Sequence, residues 1–179
     1  MQAIDTFYNG NYYRSRLEAR WAYFFDLLQV PYLYEPEGFK NGNERYLPDF
    51  YLNATHLRDN KQDIGVYLEI KHENYHYDID QCKFNWFDRN LILFPGIPLH
   101  HIWGNDCKND GGYEIYPGWD NMMKFWICEK CNTTKIEFWE GNYNECPKCK
   151  CFGKCDDELL NFCAWEAVRV RFEHNNLIS

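Results

Sequence analysis

Tyr46-Leu47-Pro48-Asp49-Phe50-Tyr51-Leu52 and, beyond a polar stretch, Ile64-Gly65-Val66-Tyr67-Leu68-Glu69-Ile70-Lys71 are the two segments whose reading decides the fold. In the second, Val66, Leu68 and Ile70 alternate with Tyr67, Glu69 and Lys71, the two-residue period of a β-strand. Ile64 to His72 therefore reads as a half-buried strand, with Glu69 and Lys71 on one face roughly 6.6 Å apart along it. The first segment reads as a strand from Arg45 to Leu52. The turn residues Asn41-Gly42-Asn43 join it in a hairpin to Tyr32-Leu33-Tyr34, which Pro36 and Gly38 stop.

Upstream, Leu17, Trp21, Phe24, Phe25 and Leu28 recur at helical spacing, which predicts an amphipathic helix from Arg14 to Val30, ended by Pro31. Downstream, Asp78, Ile79, Cys82, Trp86 and Phe87 predict a second helix, and Leu91 to Phe94 with Leu99 to Trp103 predict at least one more strand. The core order is thus α-β-β-β-α-β. Gly104 to Gly118 reads as a long surface loop. Asp156-Asp157-Glu158 opens a final helix carrying Leu160, Cys163, Ala164, Ala167 and Val168, with Arg169 and Arg171 suited to its C-terminal end. Three parts follow: a core over 1–124, a cysteine-rich insertion over 125–155, and a C-terminal helix over 156–179 that packs on the core.

At 179 residues the chain is of single-domain size. With 45% hydrophobic and 19% aromatic residues it has material for a packed core, which excludes a disordered chain. No apolar run approaches the roughly 20 residues that span a bilayer, and Met1 to Asn9 lacks the pattern of a secretory leader, so a cytoplasmic protein is expected. A formal charge of −8 argues against gripping nucleic acid by bulk electrostatics. Any DNA contact is expected to be local or metal-assisted.

Nine cysteines, an odd number without an export signal, read as metal binding rather than disulfides. Cys128-x2-Cys131 and Cys146-x2-Cys149 have the spacing of a zinc ribbon, two turns that bring four sulfurs to one ion. Such a closed site is structural. Cys151 competes for the fourth position, Cys155 also disturbs the register, and Cys82, Cys107 and Cys163 read as small core or loop residues.

Asp49 and Glu69 supply the hard oxygen ligands that magnesium or manganese requires, and Lys71 stands beside them as a positive charge. The plainer reading is a cross-strand ion pair of Glu69 with Lys71, and Asp49 as a turn residue after Pro48. A carboxylate between aromatic and aliphatic neighbours is nevertheless costly to bury unless it has a partner or a metal.

The chain resembles the PD-(D/E)xK nuclease superfamily, in particular its small phage-type, resolvase-like members. Five segments in order carry the resemblance: Ser15 to Ala22, Tyr34 to Phe39, Tyr46 to Phe50, Leu68 to Lys71, and Ala167 to His174. It implies a restriction-endonuclease-like core with an inserted zinc ribbon, hydrolysing DNA phosphodiester bonds with Mg²⁺ or Mn²⁺. In that reading Asp49 and Glu69 are metal ligands, Ile70 lends its carbonyl, and Lys71 assists the attacking water. Glu18 matches an extra acidic residue that completes the metal site, although Ser15-x2-Glu18 is also a capping box. Glu35 and Glu37 read as neighbours of the site or as turn residues. Arg14, Arg16 and Arg20 form a basic edge, more simply a solvated helix face. DNA, structured or branched forms included, is the expected partner, with a homodimer positioned to cut two strands; RNA stays open. The alternative is a non-catalytic binding protein, an anti-defence or replication accessory factor, whose partner is a host protein.

Overall fold

Ser15 opens the first helix: its hydroxyl accepts the Glu18 N–H at 3.1 Å, the N-cap contact that the capping-box reading requires. The computed structural model describes residues 4–54, 64–73, 86–87, 89, 91–98, 113–114, 123–138, 145–146, 148–152 and 157–172. Helix α1 spans Arg16–Leu27 and ends earlier than the expected Val30. Gln29 takes a left-handed φ of 55°, and Val30 N–H reaches Phe25 O while Gln29 N–H reaches Asp26 O. That bonding satisfies the last carbonyls of the helix two residues before Pro31.

Strands β1 (Thr6–Tyr8) and β2 (Asn11–Tyr13) precede α1 as a hairpin that sequence reading did not anticipate. Its turn is Asn9-Gly10, both at positive φ, the dipeptide best suited to a two-residue hairpin loop. After α1 come β3 (Tyr32–Tyr34), β4 (Phe39–Asn41), β5 (Glu44–Tyr46), β6 (Phe50–Ala54) and β7 (Ile64–Lys71). The expected single strand over Arg45 to Leu52 is broken at Leu47-Pro48-Asp49. Pro48 has no N–H for a ladder, so the chain bends there. As a result β5 pairs with β4 across the predicted turn, while β3 pairs with β6.

The main sheet has the order β3-β6-β7-β8-β9, where β8 is Leu91–Pro95 and β9 is Tyr113–Glu114. Only the β7–β8 pairing is parallel. The loop expected over Gly104 to Gly118 thus contains a two-residue strand, since the edge of β8 offers unpaired backbone groups to any segment that reaches it. The second helix expected around Asp78 to Phe87 falls almost wholly outside the described residues. So do the run Leu99 to Trp103 and the remainder of that loop.

One sheet face presents Phe50, Leu52, Val66, Leu68, Ile92 and Phe94 to the buried face of α1, chiefly Trp21, Phe24 and Phe25. The opposite face is covered as well: Tyr67, Leu91 and Leu93 pack with Tyr46 and Phe87. The half-buried strand expected at β7 is therefore buried on both sides. Beyond the sheet, β10 (Met123–Ile127) and β11 (Thr134–Phe138) form a hairpin, and helix α2 covers Asp157–Arg169. Phe125 and Ile127 from the hairpin and Leu160, Cys163, Ala164 and Ala167 from α2 join the same core as α1. Thr134 Oγ1 donates to Leu28 O at 2.8 Å, which ties the hairpin to the end of α1. The described residues thus form a mixed α/β fold with a mixed sheet and two helices. No helix among them is long and apolar enough to cross a membrane.

Gly65 lies beneath the ring of Tyr51, whose hydroxyl oxygen would stand 1.8 Å from an added Cβ. Tyr51 is itself packed on Tyr67, with ring centroids 4.9 Å apart. Gly65→Ala should therefore cost about 1–3 kcal/mol in chemical denaturation, as overpacking does. Combining it with Tyr51→Ala should recover part of that loss.

Candidate functional site

Asp49 occupies the bend between β5 and β6. Its N–H donates to Leu68 O at 3.1 Å and its carbonyl accepts the Glu35 N–H at 2.9 Å, so the backbone is held on both sides. The side chain is 3% exposed for the residue as a whole, and Oδ2 accepts the Ile70 N–H at 2.7 Å. The other oxygen, Oδ1, accepts from Arg14 Nη2 at 2.6 Å. On β7, Glu69 is equally buried: Oε2 accepts the Tyr46 hydroxyl at 2.8 Å, and Oε1 meets the Lys71 ammonium. The strand alternation expected from the sequence places Glu69 and Lys71 on one face, and they form a direct ion pair.

Glu18 is buried at the start of α1, where Oε1 accepts the Ser15 hydroxyl at 2.8 Å and Oε2 accepts the Tyr34 hydroxyl at 2.6 Å. The Arg14 N–H, 3.2 Å away, also bonds Oε2. Its carboxylate is thus engaged in holding the helix entrance. Among the described residues, Glu18, Asp49 and Glu69 are not a set whose ligand oxygens all lie within 4.8 Å of one another. Glu69, and less strongly Glu18, act on Asp49 through space. Ile70, expected to lend its carbonyl, is seen to use its N–H on Asp49.

Sequence reasoning missed two participants. Arg14, assigned to a solvated helix face, precedes the helix cap, and its Nε stands 2.6 Å from Glu35 Oε1 while Nη2 holds Asp49. A single arginine before a cap carries no local signal of such a role. Tyr46 lies three residues before Asp49, and only the bend at Pro48 brings its hydroxyl to Glu69. Glu37 accepts the Tyr67 hydroxyl at 2.6 Å, on the same face of β7 as Glu69 and one side-chain position before it.

The cluster carries four carboxylates, Glu18, Glu35, Asp49 and Glu69, against the two cations Arg14 and Lys71. Burial, the adjacent Glu69 and then Glu18 push the Asp49 carboxyl up to about 8. The Ile70 N–H and Lys71 oppose that rise but do not cancel it. An oxygen donor set short of positive charge suits a hard dication, and each oxygen of Asp49 and Glu69 retains a second lone pair beyond its one protein donor.

The second cluster is sulfur. Cys128, Cys131, Cys146 and Cys149 bring their Sγ atoms within 4.8 Å of one another and could hold a metal ion such as zinc. Cys128 and Cys146 are buried with Trp126, whose neighbours Phe125 and Ile127 face the main core. The Thr133 side chain lies 3.2 Å from Cys131 Sγ and pulls that thiol down to about 6, whereas contact with Cys151 pushes Cys149 up to about 11. Cys163 lies in the core between α1 and α2, as expected of a small apolar residue. Cys82, Cys107 and Cys155 lie outside the described residues.

Two outcomes follow. A carboxyl whose folded pKa exceeds its unfolded value near 4 binds more protons in the folded state, so its contribution is lost as pH rises from about 4 to about 8. Without added magnesium or manganese, the urea midpoint should fall across that interval, and Asp49→Asn should flatten the fall. Because the sulfur cluster backs onto the core through Trp126, Cys128→Ser or strong chelation should lower the melting temperature by several degrees, roughly the effect of 1 kcal/mol or more. An unchanged melting temperature would detach the cluster from stability. No family model, no curated protein and no solved structure matches this chain.

Proposed function

We propose that the chain is a metal-dependent phosphodiester hydrolase, an endonuclease acting on DNA, with Asp49 and Glu69 holding magnesium or manganese. The observation that carries this reading is a pair of buried carboxylates, Asp49 at the bend before β6 and Glu69 on the neighbouring β7, with an arginine on the first and a lysine ammonium on the second. Burying such groups is expensive, and a site built only for stability is better served by apolar residues. A dication there would lower the pKa of a bound water and offset the charge that builds on the phosphoryl oxygens.

The protein's own groups divide the remaining work. Lys71, attached to Glu69 yet partly exposed, places a positive charge where the phosphate enters. Arg14 is 53% exposed at its side chain and neutralises Asp49 from the solvent side, so it is placed to exchange that carboxylate for a phosphate oxygen. Tyr46 and the Ile70 N–H fix the orientation of the two carboxylates, and Glu18 adds negative potential behind Asp49. The succession of α1, the antiparallel strands β3, β6 and β7, and the parallel β8 supports a restriction-endonuclease-like core. The four cysteines are read as a structural zinc site, since four sulfurs around one ion leave no position for water.

One observation favours a non-catalytic binding protein instead. Every oxygen of Asp49 and Glu69 already has a protein donor, so the cluster can lock the sheet without an ion. The two readings separate in a cleavage panel of single-stranded, duplex, flap and junction DNA, with an RNA arm, run with magnesium and with manganese. We expect cutting that requires the metal. Asp49→Ala and Glu69→Ala should abolish it, and Lys71→Ala should slow it by about 10²–10³. Variants that cut as fast as the parent would refute the site, and a parent that cuts nothing would leave the binding protein.

A further inference from the structure

The two Cys-x2-Cys turns repeat one backbone pattern. In the first, Asn132 N–H donates to Cys128 O at 2.8 Å and Cys128 N–H to Thr133 O at 3.0 Å. In the second, Lys150 N–H donates to Cys146 O at 2.9 Å and Cys146 N–H to Cys151 O at 2.8 Å. Asn132 and Lys150 both hold left-handed φ angles, 54° and 58°. Cys151 therefore stands in the second turn where Thr133 stands in the first.

The side chains extend the correspondence and then break it. Thr133 Oγ1 lies 3.2 Å from Cys131 Sγ, and Cys151 Sγ lies 3.0 Å from Cys149 Sγ. Cys151 Sγ also reaches Cys128 Sγ at 3.5 Å, whereas Thr133 forms no hydrogen bond with Cys146. Four sulfurs about 2.3 Å from one tetrahedral ion stand about 3.8 Å from each other. The spans Cys128–Cys149 at 3.7 Å and Cys131–Cys146 at 3.4 Å are near that edge, and Cys151 adds a fifth sulfur at comparable range. Of the four closed sulfurs Cys149 is the exposed one, while Cys151 is half-buried.

We propose that Cys151 is a reserve zinc ligand. When the exposed Cys149 sulfur detaches, Cys151 takes the fourth position. Cys151 gives up its thiol proton as its sulfur binds, and a detached Cys149 sulfur takes one up, so charge and ligand number are conserved in that exchange. A thiol already tethered at the site rebinds as an intramolecular partner at high effective concentration. Holding a fifth sulfur there makes metal loss slower than four ligands alone would allow.

The test loads the full-length chain with Co²⁺, reads its thiolate charge-transfer and d–d bands, and separately follows zinc release to a chromophoric chelator. Cys149→Ser and Cys151→Thr should each keep the four-thiolate spectrum. The double variant should shift to a three-thiolate spectrum and release zinc faster, by about 10-fold or more. Cys131→Ser combined with Cys151→Thr, which leaves the three sulfurs of Cys128, Cys146 and Cys149, serves as the three-thiolate reference. If Cys149→Ser alone matches that reference, or unfolds as the reference does, no reserve exists. If Cys151→Thr loses a thiolate while Cys149→Ser does not, Cys151 is the resting ligand and the proposal is equally overturned.

Discussion

The hydrogen bond from the Ile70 N–H to Asp49 Oδ2 is the contact on which the arrangement of the molecule turns. It joins the bend after Pro48 to the end of β7, in a place where no regular ladder bond can form because the chain has left strand geometry. With Asp49 N–H on Leu68 O, it sets the register of β6 against β7, so that Phe50 faces Leu68 and Tyr51 faces Tyr67. A slip of one residue would send every side chain of β6 to the opposite face. The same bond brings two carboxylates together out of water, and their mutual repulsion is then offset by Arg14 from one side and Lys71 from the other. Fold and candidate site therefore share one constraint.

The cysteine hairpin is tied to that frame rather than set apart from it. Phe125 and Ile127 point into the core shared by α1 and α2, and the intervening Trp126 points to the sulfurs, the division of faces that a strand imposes. Thr134 occupies a carbonyl at the end of α1 that the helix leaves without an internal partner. The hairpin that leads to Cys128 is in this way bonded to the end of the helix whose first turn carries Glu18, which accepts the Arg14 N–H, while the Arg14 guanidinium holds Asp49.

Strand β7 was legible because its period of two is a property of neighbouring residues, and the same holds for the stripe of α1 and for the cap at Ser15. The strand over Arg45 to Leu52 was misread because its residue types suit a strand throughout, while the missing N–H of Pro48 divides it between two sheets. The Asn9-Gly10 turn carried a signal that was passed over, since the strands on either side have only three residues each. Of the candidate site, Asp49, Glu69 and Lys71 stood out by type and spacing. Arg14 and Tyr46 did not, because what places them is distance through space and not distance along the chain.

By itself the sequence determined the local periods, the caps, the sulfur spacing and the residue types able to bear a hard or a soft metal, all of which depend on neighbours within a few positions. The tertiary structure alone decided that β5 and β6 separate, that Glu69 is buried on a doubly covered sheet, and that Arg14 closes over Asp49. Those outcomes depend on which distant segments exclude water together, and hydrophobic burial has no direction along the chain by which it could be read in advance.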